Sequence, residues 1–262
     1  MLLAGTSYAA KSSRSSAADG SSLTVVIDAG HGGHDRGGIP GQRVAEKDMT
    51  LDVALRLRNI LSANGYNVVM TRSTDVFVPL GGRVAIANSY RNAVFVCIHF
   101  NATPRSGASG IETYFYSRES LPLASAIHYY VASGAPSENR GVRRRGYYVL
   151  RKTNVPAVLV ECGFLTNPTE AAYAQTTSYR QRLAEEIAAG VRRRNAVGSG
   201  FGTTRVATAE SIPLQPYMDQ TKVTSSKKSR SKRSHKKSAR KKKSSSKRSD
   251  SEARAASSDR EG

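Results

Sequence analysis

Val25-Val26-Ile27-Asp28-Ala29-Gly30-His31-Gly32-Gly33 is a continuous apolar run that ends in an acid, a glycine-rich turn and a histidine. Two later stretches are built the same way. Val94-Phe95-Val96-Cys97-Ile98-His99-Phe100-Asn101-Ala102 ends in a histidine, and Val158-Leu159-Val160-Glu161-Cys162-Gly163 ends in a glutamate. Short unbroken apolar runs suit strands buried on both faces, as in a parallel sheet covered by helices. Longer segments of helical period lie between them. The alternation predicts an α/β protein: one three-layer domain with a mostly parallel mixed sheet flanked by helices. In open α/β sheets ligands bind beyond the carboxyl ends of the strands, so His31, His99 and Glu161 are expected along one edge.

Working outward, strands are predicted at 23–27, 66–71, 93–98, 111–116, 147–150 and 157–160. The first helix is predicted over 47–64, where Val53, Leu57, Ile60 and Leu61 recur at helical spacing and Asn64-Gly65 supplies the stop. Further helices are predicted at 83–90 and 121–132. Ser178 and Gln181 form a capping box that opens a last helix, striped by Tyr179, Leu183, Ile187 and Val191. Arg140, Arg143, Arg144 and Arg145 are read as a basic loop ahead of the 147–150 strand. Such a loop serves either to bind carboxylates or simply to face water.

Glu46 opens the first helix, after a loop that leaves the same sheet edge. Two histidines and one carboxylate with an open fourth position form the ligand set of a hydrolytic zinc site. His31, Glu46 and His99 are therefore the candidate ligands, and Glu161 the candidate base acting on water. Each residue also has an ordinary role open to it. A histidine at a strand end is often a hydrogen-bonded structural group, and a glutamate at a helix start is a dipole partner. His34 is taken as a loop residue, since a fourth protein ligand would close the site. His128 and His235 have no apparent partners. Asp28 serves either to orient a ligand or to hold the turn. Cys97 and Cys162 are either packed thiols or a disulfide.

These residues carry a resemblance. The run Val26–Gly33, Glu46-Lys47, Gly65-Tyr66-Asn67-Val68, Thr71-Arg72, Leu80, Arg83, Ala87-Asn88, Ile98-His99-Phe100-Asn101-Ala102 and Pro156–Asn167 follow one another in this order. In that order they resemble the zinc-dependent N-acetylmuramoyl-L-alanine amidases of the autolysin type, over about residues 23–193. The resemblance implies that His31, Glu46 and His99 bind zinc and that Glu161 is catalytic. It implies cleavage of the amide between the lactyl group of N-acetylmuramic acid and L-alanine in peptidoglycan, in wall remodelling, septum splitting or wall recycling. Phe100 stands where the family usually has a small residue, and Cys162 where a small or polar one is common. The alternatives are a zinc peptidase cutting within the stem peptide, or a wall-binding protein without activity. Some members of that family carry a helix across the zinc until an activator removes it. Here residues 117–145 are taken up by the 121–132 helix and a segment broken by Gly134, Pro136 and Gly141, so no dedicated activator is expected.

The remaining segments differ in kind. The formal charge is +20, but residues 222–248 hold fourteen Lys/Arg and no acid, which leaves +6 elsewhere. Residues 222–262 are expected to be a disordered Lys/Arg/Ser tail, joined by a linker over 196–221 to a catalytic domain over 21–195. The tail suits anionic envelope polymers or lipid head groups. Nucleic acid is a poorer fit, because aromatics for base stacking are missing. Residues 1–20 are read as a signal-peptide remnant or a disordered polar leader. Together with the resemblance, the expected location is periplasmic or the cell envelope. No apolar run is long enough to span a membrane. Two cysteines exclude both a disulfide scaffold and a four-cysteine zinc site.

Overall fold

A computed structural model of the chain describes residues 23–194. Six strands form one sheet: β1 (Thr24–Ala29), β2 (Asn67–Met70), β3 (Ala93–Asn101), β4 (Ile111–Phe115), β5 (Asn139–Arg144) and β6 (Ala157–Phe164). Their order across the sheet is β2-β1-β3-β6-β4-β5. β1, β2, β3 and β6 are mutually parallel, and β4 runs antiparallel to β6. Six helices cover the faces: α1 (Glu46–Ala63), α2 (Leu80–Asn88), α3 (Leu121–Gly134), α4 (Tyr148–Lys152), α5 (Pro168–Gln175) and α6 (Thr177–Arg193). The three-layer mixed sheet is the architecture expected from the sequence.

Strand parity divides the core. Val25, Ile27, Val94, Val96, Ile98, Val158 and Val160 face one cluster, built with residues of α1, α3 and α6. Val26, Phe95, Cys97, Tyr114, Ala157 and Leu159 face the other, with Val84 and Ala87 of α2 and Val149 and Leu150 of α4. On that second face, continuing β3 by two residues from Cys97 reaches His99, and continuing β6 by two from Leu159 reaches Glu161. His99 and Glu161 are register partners. The chain goes from β1 through α1 to β2, then crosses back through α2 to β3 on the other side of β1. The strand order therefore reverses at β1 and β3, which is where an open α/β sheet leaves a crevice.

Four local readings are corrected. Residues 147–150 are not a strand: Tyr148–Lys152 is helical, with Leu150 N–H and Arg151 N–H both donating to Tyr147 O. Four apolar residues do not distinguish a strand from a helical turn. The basic loop is instead the edge strand β5, where charged side chains block further pairing. α5 was not anticipated, though Asn167-Pro168 signals it: Asn167 Oδ1 accepts from Thr169 N–H and Glu170 N–H at 3.0 and 3.2 Å. α6 is capped by Thr176 rather than Ser178, with Thr176 Oγ1 accepting from Tyr179 N–H. The expectations for residues 1–20, 196–221 and 222–262 fall outside the described residues.

Candidate metal centre

His31 follows β1, Glu46 begins α1 and His99 sits near the end of β3. One ligand-competent atom from each lies within 4.8 Å of the others. His31 Nε2 is 3.1 Å from Glu46 Oε2, and His99 Nδ1 is 2.9 Å from Glu46 Oε1. Phe100 N–H also donates to Glu46 Oε1, at 3.0 Å. Glycine makes room for this packing. A Cβ on Gly30 would overlap the His99 imidazole, and one on Gly37 (φ 70°) would strike Glu46 and the His31 ring.

His31 is the only non-glycine residue with positive φ (60°) among the described residues. Such backbone strain persists only where the surroundings hold it, and here three contacts do. Asp35 Oδ2 accepts from His31 Nδ1 at 2.8 Å. Arg83 Nη2 donates to His31 O at 2.8 Å, and Arg72 Nη2 donates to Gly30 O at 2.8 Å. Both guanidiniums are buried. Arg83 is paired in turn with buried Asp28 at 2.6 Å, which also accepts from Thr71 Oγ1 and Cys97 Sγ. Asp28 thus acts on the histidine loop through Arg83.

The electrostatics call for a cation. Both ring nitrogens of His31 face carboxylate oxygens, which only accept, so both carry protons and the ring is charged. Burial works against that charge, but hydrogen bonds to Asp35 and Glu46 overcome it and hold the His31 pKa at about 10. Burial likewise opposes ionisation of Glu46, yet His31 and His99 hold its pKa at about 2. A metal ion at this point replaces a proton with a stronger positive charge, and two imidazoles with a carboxylate are borderline donors suited to zinc. The residues present therefore fit such an ion.

Glu161 lies beside the cluster and is 6 % exposed, and its Oε2 has no hydrogen-bond partner. Burial first, then the neighbouring carboxylates of Glu46 and Glu112, push its pKa well above the usual range. Other histidines stand apart. His34 stacks on Phe77 at 4.2 Å between centroids. His128, expected to lack partners, has two: Thr113 Oγ1 at 3.1 Å from Nδ1 and Asn139 Oδ1 at 2.8 Å from Nε2. His235 lies outside the described residues. Cys97 and Cys162 are free and buried in different core clusters, so the disulfide alternative fails. A cleft of about 710 Å³ opens between residues 39–44 and 103–106, but its lining includes none of the four candidate residues.

Sequence reasoning assigned no role to Asp35, Arg72 or Arg83. Asp35 carries a signal, standing four residues beyond His31 in a glycine-rich turn. The two arginines matched the family pattern, but burial of a charged side chain runs against what composition leads one to expect.

Residues 25–193 match the family described as N-acetylmuramoyl-L-alanine amidase. The chain is 40 % identical over 172 residues to the uncharacterized protein YqiI of Bacillus subtilis, covering 64 % of this chain and 82 % of that one. It is 36 % identical over 168 residues to the N-acetylmuramoyl-L-alanine amidase LytC of Bacillus subtilis, covering 63 % of this chain but only 34 % of LytC. Among solved structures, the catalytic domain of the amidase CwlV from Bacillus (Paenibacillus) polymyxa var. colistinus superposes with a TM-score of 0.64 and 37 % identity. That likeness covers 67 % of this chain and 99 % of the CwlV domain. With the match running from β1 to the end of α6, the chain belongs to the N-acetylmuramoyl-L-alanine amidase family.

Proposed function

We propose that the protein is a zinc-dependent hydrolase of peptidoglycan. It cuts the amide between the lactyl group of N-acetylmuramic acid and L-alanine. The observation that carries this reading is the His31–Glu46–His99 cluster with buried Glu161 in register beside His99, its Oε2 without a hydrogen-bond partner. His31, Glu46 and His99 would hold the zinc ion, which would supply a Lewis acid for the amide carbonyl and for water. Asp35 fixes the His31 ring, and Arg72 and Arg83 fix its backbone. Glu161 accepts a proton from the attacking water and returns it to the departing nitrogen. Burial and the neighbouring carboxylates raise its proton affinity, which suits it to the second task. The expected envelope location, and retention there by the basic tail, belong to this reading.

The test incubates the purified protein with muropeptides, with and without a chelator, and identifies the fragments by mass. Peptides released with a free L-alanine amino group, only in the presence of metal, are the expected products. Cleavage within the peptide would identify a stem-peptide peptidase, and unchanged muropeptides in zinc would indicate a binding protein.

A further inference from the structure

The register row that holds His99 and Glu161 continues to Glu112 on β4. At about 4.8 Å per strand, Glu112 stands roughly 10 Å from His99. Glu112 is 4 % exposed. Its Oε2 accepts from Tyr114 OH at 2.5 Å and from Asn101 Nδ2 at 3.3 Å. Its Oε1 lies 3.1 Å from Arg140 Nε and 3.1 Å from Arg143 Nε. One carboxylate thus faces two guanidiniums at the end of the row.

The two arginines are differently engaged. Arg140 is pinned: Nη1 donates to Ser109 O, and its guanidinium lies over the Phe164 ring. Arg143 spends Nε and Nη2 on Arg140 O, which leaves Nη1 without a partner among the described residues. Register with Tyr114 puts Arg143 on the same sheet face as Glu161, and its side chain is 36 % exposed. Glu161, with its unpartnered Oε2, lies between the metal cluster and this pair.

The amidase reading orients the substrate along this row. Glu161 delivers its proton to the departing nitrogen, so the departing peptide runs over Glu161, away from the histidines and toward β4 and β5. Two extended residues span about 7 Å, which brings a side-chain or terminal carboxylate of the second residue within reach of Arg143. Resting on that reading, we propose that Arg143, held in place by Glu112, anchors a subsite for a carboxylate on the departing peptide. The subsite makes the enzyme select acidic over amidated stem peptides.

The probes are N-acetylmuramoyl-L-alanyl-D-glutamate and its diamide, given to the full-length, zinc-loaded protein. Binding is measured calorimetrically on the Glu161→Gln protein, and kcat/KM on the protein with Glu161 intact. The acid is expected to be favoured over the amide by about tenfold, the low end for a hydrogen bond to a charged group at a partly exposed site. Arg143→Gln should bring that ratio close to one. Arg143→Lys should restore part of it, because the charge survives while the fork does not. A purely structural role for Arg143 would lower both substrates together and leave the ratio untouched. Equal handling of acid and amide with Arg143 present, a preference that survives Arg143→Gln, or no binding of either compound overturns the subsite. Carboxylate-dependent binding that is lost in Arg143→Gln, without cleavage of either compound when Glu161 is intact, would uphold the subsite and overturn the amidase reading alone.

Discussion

At the scale of single residues, the division of labour between Glu161 and the cluster makes a sharp expectation. Glu161→Gln keeps the shape and removes the proton acceptor, so zinc content should stay near one per chain while turnover falls by about 10²–10⁴-fold. His99→Ala should lose both. Elemental analysis beside a muropeptide assay separates the two outcomes. A Glu161→Gln protein without metal would make Glu161 a ligand. Gly30→Ala should also weaken zinc binding, measured by competition with a chromophoric chelator, because the new methyl group occupies the space of the His99 ring. The four candidate residues were legible in the sequence as candidates, since each ends or begins a recognisable element. Their supports were not. Nothing local marks Arg83 as the partner of Asp28, 55 positions away.

Between elements, two ion-pair sites make different contributions. Arg83 and Asp28 are both buried, and the pair joins α2 to β1. Arg83→Leu would strand the Asp28 carboxylate in the core and should cost about 3–5 kcal/mol in urea unfolding. The double variant Asp28→Asn/Arg83→Leu should recover part of that loss. The second site ties α1 to α6: Asp52 accepts from Arg56 Nε at 2.6 Å and from Arg180 Nε at 2.7 Å. Burial raises the Asp52 pKa, but these two bonds outweigh it and hold it below the usual value. A depressed folded pKa gives stability that is present above the unfolded pKa, near 3.9, and is lost as pH falls through the folded one. Asp52→Asn should therefore destabilise by up to about 1 kcal/mol at neutral pH, for a pair partly open to solvent. The difference should shrink as pH falls below the unfolded value and vanish once the folded carboxyl is protonated. A constant difference across pH would mean that shape, not charge, matters there. Helices with a strong stripe, such as α6, were legible because one side of each must be apolar. α4 was not, because its packing against the α2 side of the sheet decides between turn and strand.

For the molecule as a whole, the candidate chemistry gathers at one sheet edge, and more than half of the formal charge of +20 lies outside residues 23–194. Removing residues 222–262 should leave hydrolysis of small soluble muropeptides near its full rate. It should weaken adsorption to anionic wall or vesicles, most at low salt, where screening is least. Sedimentation with purified wall at two ionic strengths checks this, and loss of activity on small muropeptides would place the tail within the site. Residues 117–145, where an occluding helix would have to be built, are largely occupied by α3 and β5. Full activity of the isolated protein on muropeptides, without any added envelope partner, is the corresponding expectation.

The sequence by itself determined the parallel core, the strands and helices other than β5, α4 and α5, and the placing of four candidate residues at strand ends or a helix start. These follow from local periodicity and from where apolar runs stop. Only the tertiary structure decided what lies next to what. It made the basic segment an edge strand, brought Glu112 and Arg143 into the row of Glu161, and buried Arg72 and Arg83 under the histidine loop. It also separated Cys97 from Cys162 by the thickness of the sheet. Register and strand order arise from contacts between residues distant in the chain, and no local pattern encodes them.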